Sequence, residues 1–246
     1  MRGNFSQVLS ILFVFGLLTS CQEFLFDDLS TVTKEVTFDA GFNYVSINDG
    51  FRVVLKQDTS NYVIIDAAEE TIKDVDCFTS HDTLILNDNN PMKWRTAYPT
   101  PTVTIGFNKI KELKIYSPAN VSTASTINQD YLKVYTTEHI GEINLDINLQ
   151  KFVLLAGNTN NMGIYNIAGS ADDAYMWIRN ACSLNALEFE VKDVRVIQNS
   201  KADCYVLATN TIKVTLNSSG DLYYKGPSPE FTLEEQSGSG RIIKIE

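Results

Sequence analysis

Leu132-Lys133-Val134, Phe152-Val153-Leu154, Val194-Arg195-Val196 and Ile212-Lys213-Val214 are the phrases on which the fold turns. Each runs apolar, variable, apolar. Leu113-Lys114-Ile115, Tyr175-Met176-Trp177 and Phe231-Thr232-Leu233 extend the set to seven. Their first residues are separated by 19, 20, 23, 19, 18 and 19 positions. The outer columns are apolar in every copy, while the middle column reads Lys, Lys, Val, Met, Arg, Lys, Thr. Alternation with period two marks a strand with one buried face.

Close behind the triplets stand Pro118, Thr137, Gly157, Asn180, Asn199, Asn217 and Gln236, most of them turn formers. A second alternating stretch follows in most copies: Ile143/Leu145, Leu187/Phe189, Leu222/Tyr224 and Ile243/Ile245. A unit of strand, turn, strand, turn is too small to enclose a core alone. Stacking buries equivalent residues above one another. The expected fold is all-β: a parallel β-solenoid of coils about 19–20 residues long. Leucine-rich repeats share this period, but the leading Leu-x-x of their pattern is missing here. A β-sandwich would leave the common period of two apolar columns without a cause.

Residues 36–112 are strand-rich but less regular, with Val45/Ile47, a turn at Asn48-Asp49-Gly50, then Phe51–Leu55, Tyr62–Ile65 and Thr83–Leu86. Glu69–Asp74 reads as a short helix or turn. This part serves as an irregular N-terminal cap or begins the stack, since an open first coil exposes unpaired edges.

Residues 1–20 read as a cleaved signal peptide. Arg2 supplies a positive start, and Val8–Leu18 an apolar run too short to span a bilayer comfortably. The run ends in Leu18-Thr19-Ser20-Cys21, which resembles a bacterial lipobox and implies acylation of Cys21. Segment 21–35 then serves as a lipidated tether, and 36–246 as one domain. The partner implied first is a membrane, held through acyl chains. Gln22, in place of an inner-membrane retention Asp, favours the outer membrane, with periplasmic and surface placement both open.

The chain of 246 residues carries 20 basic and 30 acidic residues, a net charge of −10. This balance argues against a nucleic-acid partner, which needs clustered Lys and Arg. His81 and His139 stand far apart without a metal-ligand spacing, and no cofactor fingerprint is present. Asp172-Asp173 reads as an exposed acidic turn before a calcium site. With Cys21 acylated, Cys77, Cys182 and Cys204 remain. These fit small buried hydrophobes better than a Cys182–Cys204 bridge, although an oxidising envelope permits the bridge.

The stretches Phe42–Leu55 and Tyr62–Ala67, then Asn217-Ser218-Ser219-Gly220-Asp221-Leu222 with Tyr223-Tyr224-Lys225-Gly226, and finally Ser237-Gly238-Ser239-Gly240, together resemble the putative auto-transporter adhesin, head GIN domain family. The resemblance spans roughly residues 42–246. It implies a repetitive β-helical envelope protein, often a lipoprotein, and brings no catalytic residues. The middle coils depart from it, with Gly157-Asn158-Thr159-Asn160 and Asn180-Ala181-Cys182 where Gly-Ser-Gly turns are expected.

The most distinctive non-repeating piece is the loop 87–101, with Trp94, Arg95 and Tyr98 beside Lys93. It reads either as a lid over the end of the solenoid or as a site for a glycan or extracellular protein. The function expected is that of a non-catalytic adhesin or binding module. Two alternatives are a β-helical polysaccharide-processing enzyme and a periplasmic scaffold or envelope-stress component. The outward charges Lys133, Arg179 and Arg195 offer no convergent set of the kind such an enzyme needs.

Overall fold

The structure, a computed structural model, describes residues 30–91, 93, 99–138, 140–157, 160–227 and 229–246. Cys21, Trp94, Arg95, Tyr98 and His139 lie outside these. In chain order the strands are β1 (Thr31–Thr37), β2 (Tyr44–Ile47), β3 (Arg52–Gln57), β4 (Tyr62–Ala68), β5 (Val75–Ser80), β6 (Thr83–Asp88), β7 (Thr102–Phe107), β8 (Glu112–Ile115) and β9 (Asn120–Thr123). Then follow β10 (Ile127–Thr136), β11 (Glu142–Ala156), β12 (Ile164–Asn180), β13 (Ser183–Ser200), β14 (Cys204–Leu216), β15 (Leu222–Lys225), β16 (Glu230–Gln236) and β17 (Ile242–Lys244). A 3₁₀ turn, Ile72–Asp74, falls inside the stretch read as helix or turn.

From β8 onward every pairing is parallel, and the protein is a parallel β-solenoid. Leu132, Phe152, Ala174, Val194, Ile212 and Phe231 form one ladder across β10–β14 and β16. The first five are buried, and those from Phe152 to Ile212 are sandwiched between apolar residues one coil before and after. We call the side formed by this ladder the front face. A second inward ladder, Val121, Ile143, Tyr165, Leu184, Cys204, Leu222 and Ile242, builds the back face. The two ladders share one continuous core, in which Phe152 meets Phe189 edge to face at 5.6 Å.

Four features depart from the sequence expectations. First, the Tyr175-Met176-Trp177 triplet is one residue out of phase: Ala174, Met176 and Ile178 point inward, Tyr175 and Trp177 outward. Alternation cannot assign a face when both faces of a strand are apolar. Second, Leu113 stacks on Val134 instead of Leu132, and Ile242, not Ile243, continues the back ladder. Third, the mid-coil turn is absent from β11–β13, which run 15, 17 and 18 residues and bend as continuous strands, with register shifts in β12 and β13. Turn formers instead hold the corners, with Gly157 at φ 103° and Asn180 at φ 61°.

The fourth difference is the order of the first coils. β2 and β3 begin the stack, but β2 lies between β6 and β8, and β3 between β7 and β9. Residues 62–107 therefore fold back in front of the first coil. Antiparallel partners close this end: β5 on β6, β4 on β7 and β1 on β4. The β5–β6 hairpin turns through His81 and Asp82, both at positive φ, and Asp82 Oδ2 accepts from Asn43 Nδ2 at 2.8 Å. β1 starts at Thr31, inside the segment read as tether. At the other end, β16 and β17 carry no described strand on their outer edges, so the inward-column residues Phe231 and Leu233 are 38% and 43% exposed.

Cys77, Cys182 and Cys204 are free thiols. The register sets Cys204 beside Leu184, two residues from Cys182. Asp172 and Asp173 sit in β12, where Lys192 pairs with Asp172 at 2.5 Å and Lys151 with Asp173 at 3.7 Å.

Candidate binding surface on the front face

The phase of β12 decides what the front face shows to solvent. One outward row runs Glu112, Lys133, Val153, Tyr175, Arg195, Lys213, Thr232. Its neighbour runs Ser46, Lys114, Tyr135, Leu155, Trp177, Ile197, Thr215. Val153, Leu155, Tyr175, Trp177, Ile197 and Tyr135 thus share one patch, half-buried by mutual contact. Tyr116 extends it, 40% exposed, with its ring 6.2 Å from that of Tyr135. Flat rigid strands hold these side chains, so little conformational entropy is left to lose on binding.

At the centre the Arg179 guanidinium stands over the Trp177 indole, 3.7 Å from the ring centroid. Arg179 makes no ion pair among the described residues. Gly157 explains how it fits: a Cβ there would come within 3.0 Å of Arg179 Cβ and 3.2 Å of its carbonyl oxygen. Tyr135, Leu155, Gly157, Trp177 and Arg179 line a depression of about 140 Å³. The Trp177 Nε1–H and the Asn199 Oδ1 are buried without a described partner, and Asn199 pairs in register with Arg179. Each such orphan costs about 1–3 kcal/mol.

Charged residues border the patch: Lys114, Lys133, Arg195 and Lys213, with Glu112 and Glu234 beside them. Lys133 pairs with Glu112 at 2.7 Å, and that bond raises its pKa above the ordinary lysine value. Arg195 contacts Glu234 through Nε and Nη2, both at 2.9 Å. Lys133 and Arg195 are thus held in local ion pairs, while Arg179 turns to an aromatic ring.

Lys93, next to the expected loop site, bonds Asp49 Oδ1 at 2.5 Å. The rest of that candidate site, Trp94, Arg95 and Tyr98, falls outside the described residues. Sequence reasoning missed the Trp177 patch because it counted Tyr175 and Trp177 as core. The odd 23-residue spacing before Tyr175 was the available signal.

Comparison with known proteins comes to the same fold. The family model described as "Putative auto-transporter adhesin, head GIN domain" matches residues 41–228. A crystal structure of a putative adhesin from Bacteroides fragilis superposes with a TM-score of 0.79 at 18% identity, covering 88% of this chain and 97% of that one. A putative adhesin from Parabacteroides merdae gives 0.62 at 20% identity, with 89% and 98% covered. A Parabacteroides distasonis protein described as a putative lipid binding protein gives 0.67 at 16%, again with 89% and 98% covered. At these identities the likeness is one of fold. No curated protein matches the sequence.

Proposed function

Because the chain belongs to the putative auto-transporter adhesin, head GIN domain family, we propose that it is a non-catalytic binding module of the cell envelope, anchored by lipid at Cys21, whose front face docks a protein partner. The observation that carries the partner class is the composition of that face. Trp, Tyr and Arg are the residues enriched in the energetic centres of protein interfaces, and here Trp177, Tyr135, Tyr175 and Arg179 share one rigid patch inside a charged rim. The anchor rests on the apolar run that stops at Cys21.

Two experiments test the reading. Cys21→Ser should move the protein from membrane to soluble fractions; unchanged membrane association removes the anchor. For the partner, fluorescently labelled full-length protein is applied to bacterial and mammalian cells before and after surface proteolysis. Binding should fall with proteolysis and drop at least ~10-fold in Leu155→Glu and Ile197→Glu, whose inward neighbours are untouched. Binding that survives both substitutions at wild-type strength sinks the front face as the docking surface.

A further inference from the structure

The back face carries a second row, of different chemistry. Ser122, Asn144, Asn166, Asn185, Tyr205 and Tyr223 lie in register on six successive strands. The amides interlock: Asn166 Nδ2 donates to Asn144 Oδ1 and to Glu142 Oε1, both at 2.8 Å. Asn185 Oδ1 accepts the Leu187 N–H at 3.5 Å, and its Nδ2 has no described partner. Two register breaks flank the row, one between Asn166 and Ala168 on β12 and one between Ala186 and Glu190 on β13. Such bulges re-aim side chains beside binding sites. They open a groove of about 280 Å³, lined by Ser122, Asn144, Asp146, Asn166, Asn185 and Glu188.

From this arrangement we infer a binding site for a neutral oligosaccharide lying along the solenoid axis. Amides both donate and accept, and carboxylates accept strongly, which suits the paired hydroxyls of a sugar. No cation is among the groove's lining residues, while Asp146 and Glu188 repel an anionic polymer. Tyr205 stacks on Tyr223 at 4.7 Å and 10°, so both rings lie across the axis. Tyr205 follows Asn185 in register, so its ring adds apolar surface next to the amide row, of the kind that packs on a sugar's C–H face. Equivalent amides recur at the strand spacing of ~4.8 Å, close to the width of one sugar ring. The site is independent of the front face, because its row belongs to the other ladder of the coil.

Calorimetric titration of the detergent-solubilised full chain tests this, with cellohexaose, laminarihexaose and mannohexaose as probes and hexagalacturonate as the anionic control. At least one neutral hexamer should bind more tightly than the control. Its affinity should fall ~10-fold in Asn185→Ala, in Glu188→Gln and in Tyr205→Ala, each with an unchanged melting temperature, and stay at wild-type strength in Trp177→Ala. The inference is overturned by stronger binding of hexagalacturonate, by no binding of any neutral hexamer to the folded protein, or by affinity that survives Asn185→Ala and Glu188→Gln. Loss of sugar binding in Trp177→Ala alone would place the site on the front face and equally overturn it.

Discussion

The Tyr165 hydroxyl lies 2.6 Å from Thr136 Oγ1 inside the solenoid, a polar bond between two side chains that solvent does not reach. Asn161 Nδ2 donates to the same Oγ1 at 3.0 Å. Burial raises the Tyr165 pKa, which favours the neutral, hydrogen-bonding phenol. Tyr165→Phe and Thr136→Val each leave buried polar partners unsatisfied and should each lower stability by about 1–3 kcal/mol. Urea unfolding checks this, and a wild-type midpoint in either variant would contradict it.

Burial pushes the Cys77 thiol up to about 12 and raises Cys182 and Cys204 as well. Thiolate, the reactive form, is therefore scarce at pH 8. A Cys21→Ser protein should react slowly with a thiol reagent while folded and release three equivalents on unfolding. Rapid native-state labelling of Cys204 would show that the back ladder is open.

Val214 is fully buried on the inward column, while its neighbour Lys213 is exposed. Val214→Asp buries a charge without a partner and should cost ~3–5 kcal/mol, against at most ~0.5 kcal/mol for Lys213→Asp. Thermal melts of the pair measure the difference between the two faces of one strand.

Arg241 Nη2 lies 2.6 Å from Asp221 Oδ2, and with the Arg241 backbone N–H it holds the Asp221 carboxyl below its ordinary value of 3.8. The folded state therefore binds this proton less readily than the unfolded chain. Its stabilisation is complete above the unfolded value and fades as pH falls through the lowered folded one. Asp221→Asn should differ from wild type at neutral pH and converge with it as the pH falls through the lowered folded value, with the gap narrowed by salt. A gap that is constant across the acid range would rule out the pair as its source.

Much of the architecture was legible because stacking writes itself into sequence. Leu132, Phe152, Val194 and Ile212 do lie in a single ladder, joined through Ala174. The rung that misled was the one whose exterior is as apolar as its interior, and hydrophobicity alone carries no sign for inside. Spatial order was equally hidden. No local feature of Thr83–Asp88 announces that it stacks ahead of Tyr44–Ile47, since that depends on the return path of the intervening chain. The Asn row on the back face also escaped notice. Its members recur at spacings of 22, 22 and 19 among many other asparagines, and only the register sets them side by side.

The displaced opening coil has a bearing on assembly. Val45 must find Leu84, 39 positions later, and Leu113, 68 positions later, before its rung is complete. Each rung from Leu132 onward needs only the next 18 to 22 residues. Short closures form faster than long ones. The middle coils should thus nucleate first and template outward, and the residues made earliest by the ribosome settle among the last.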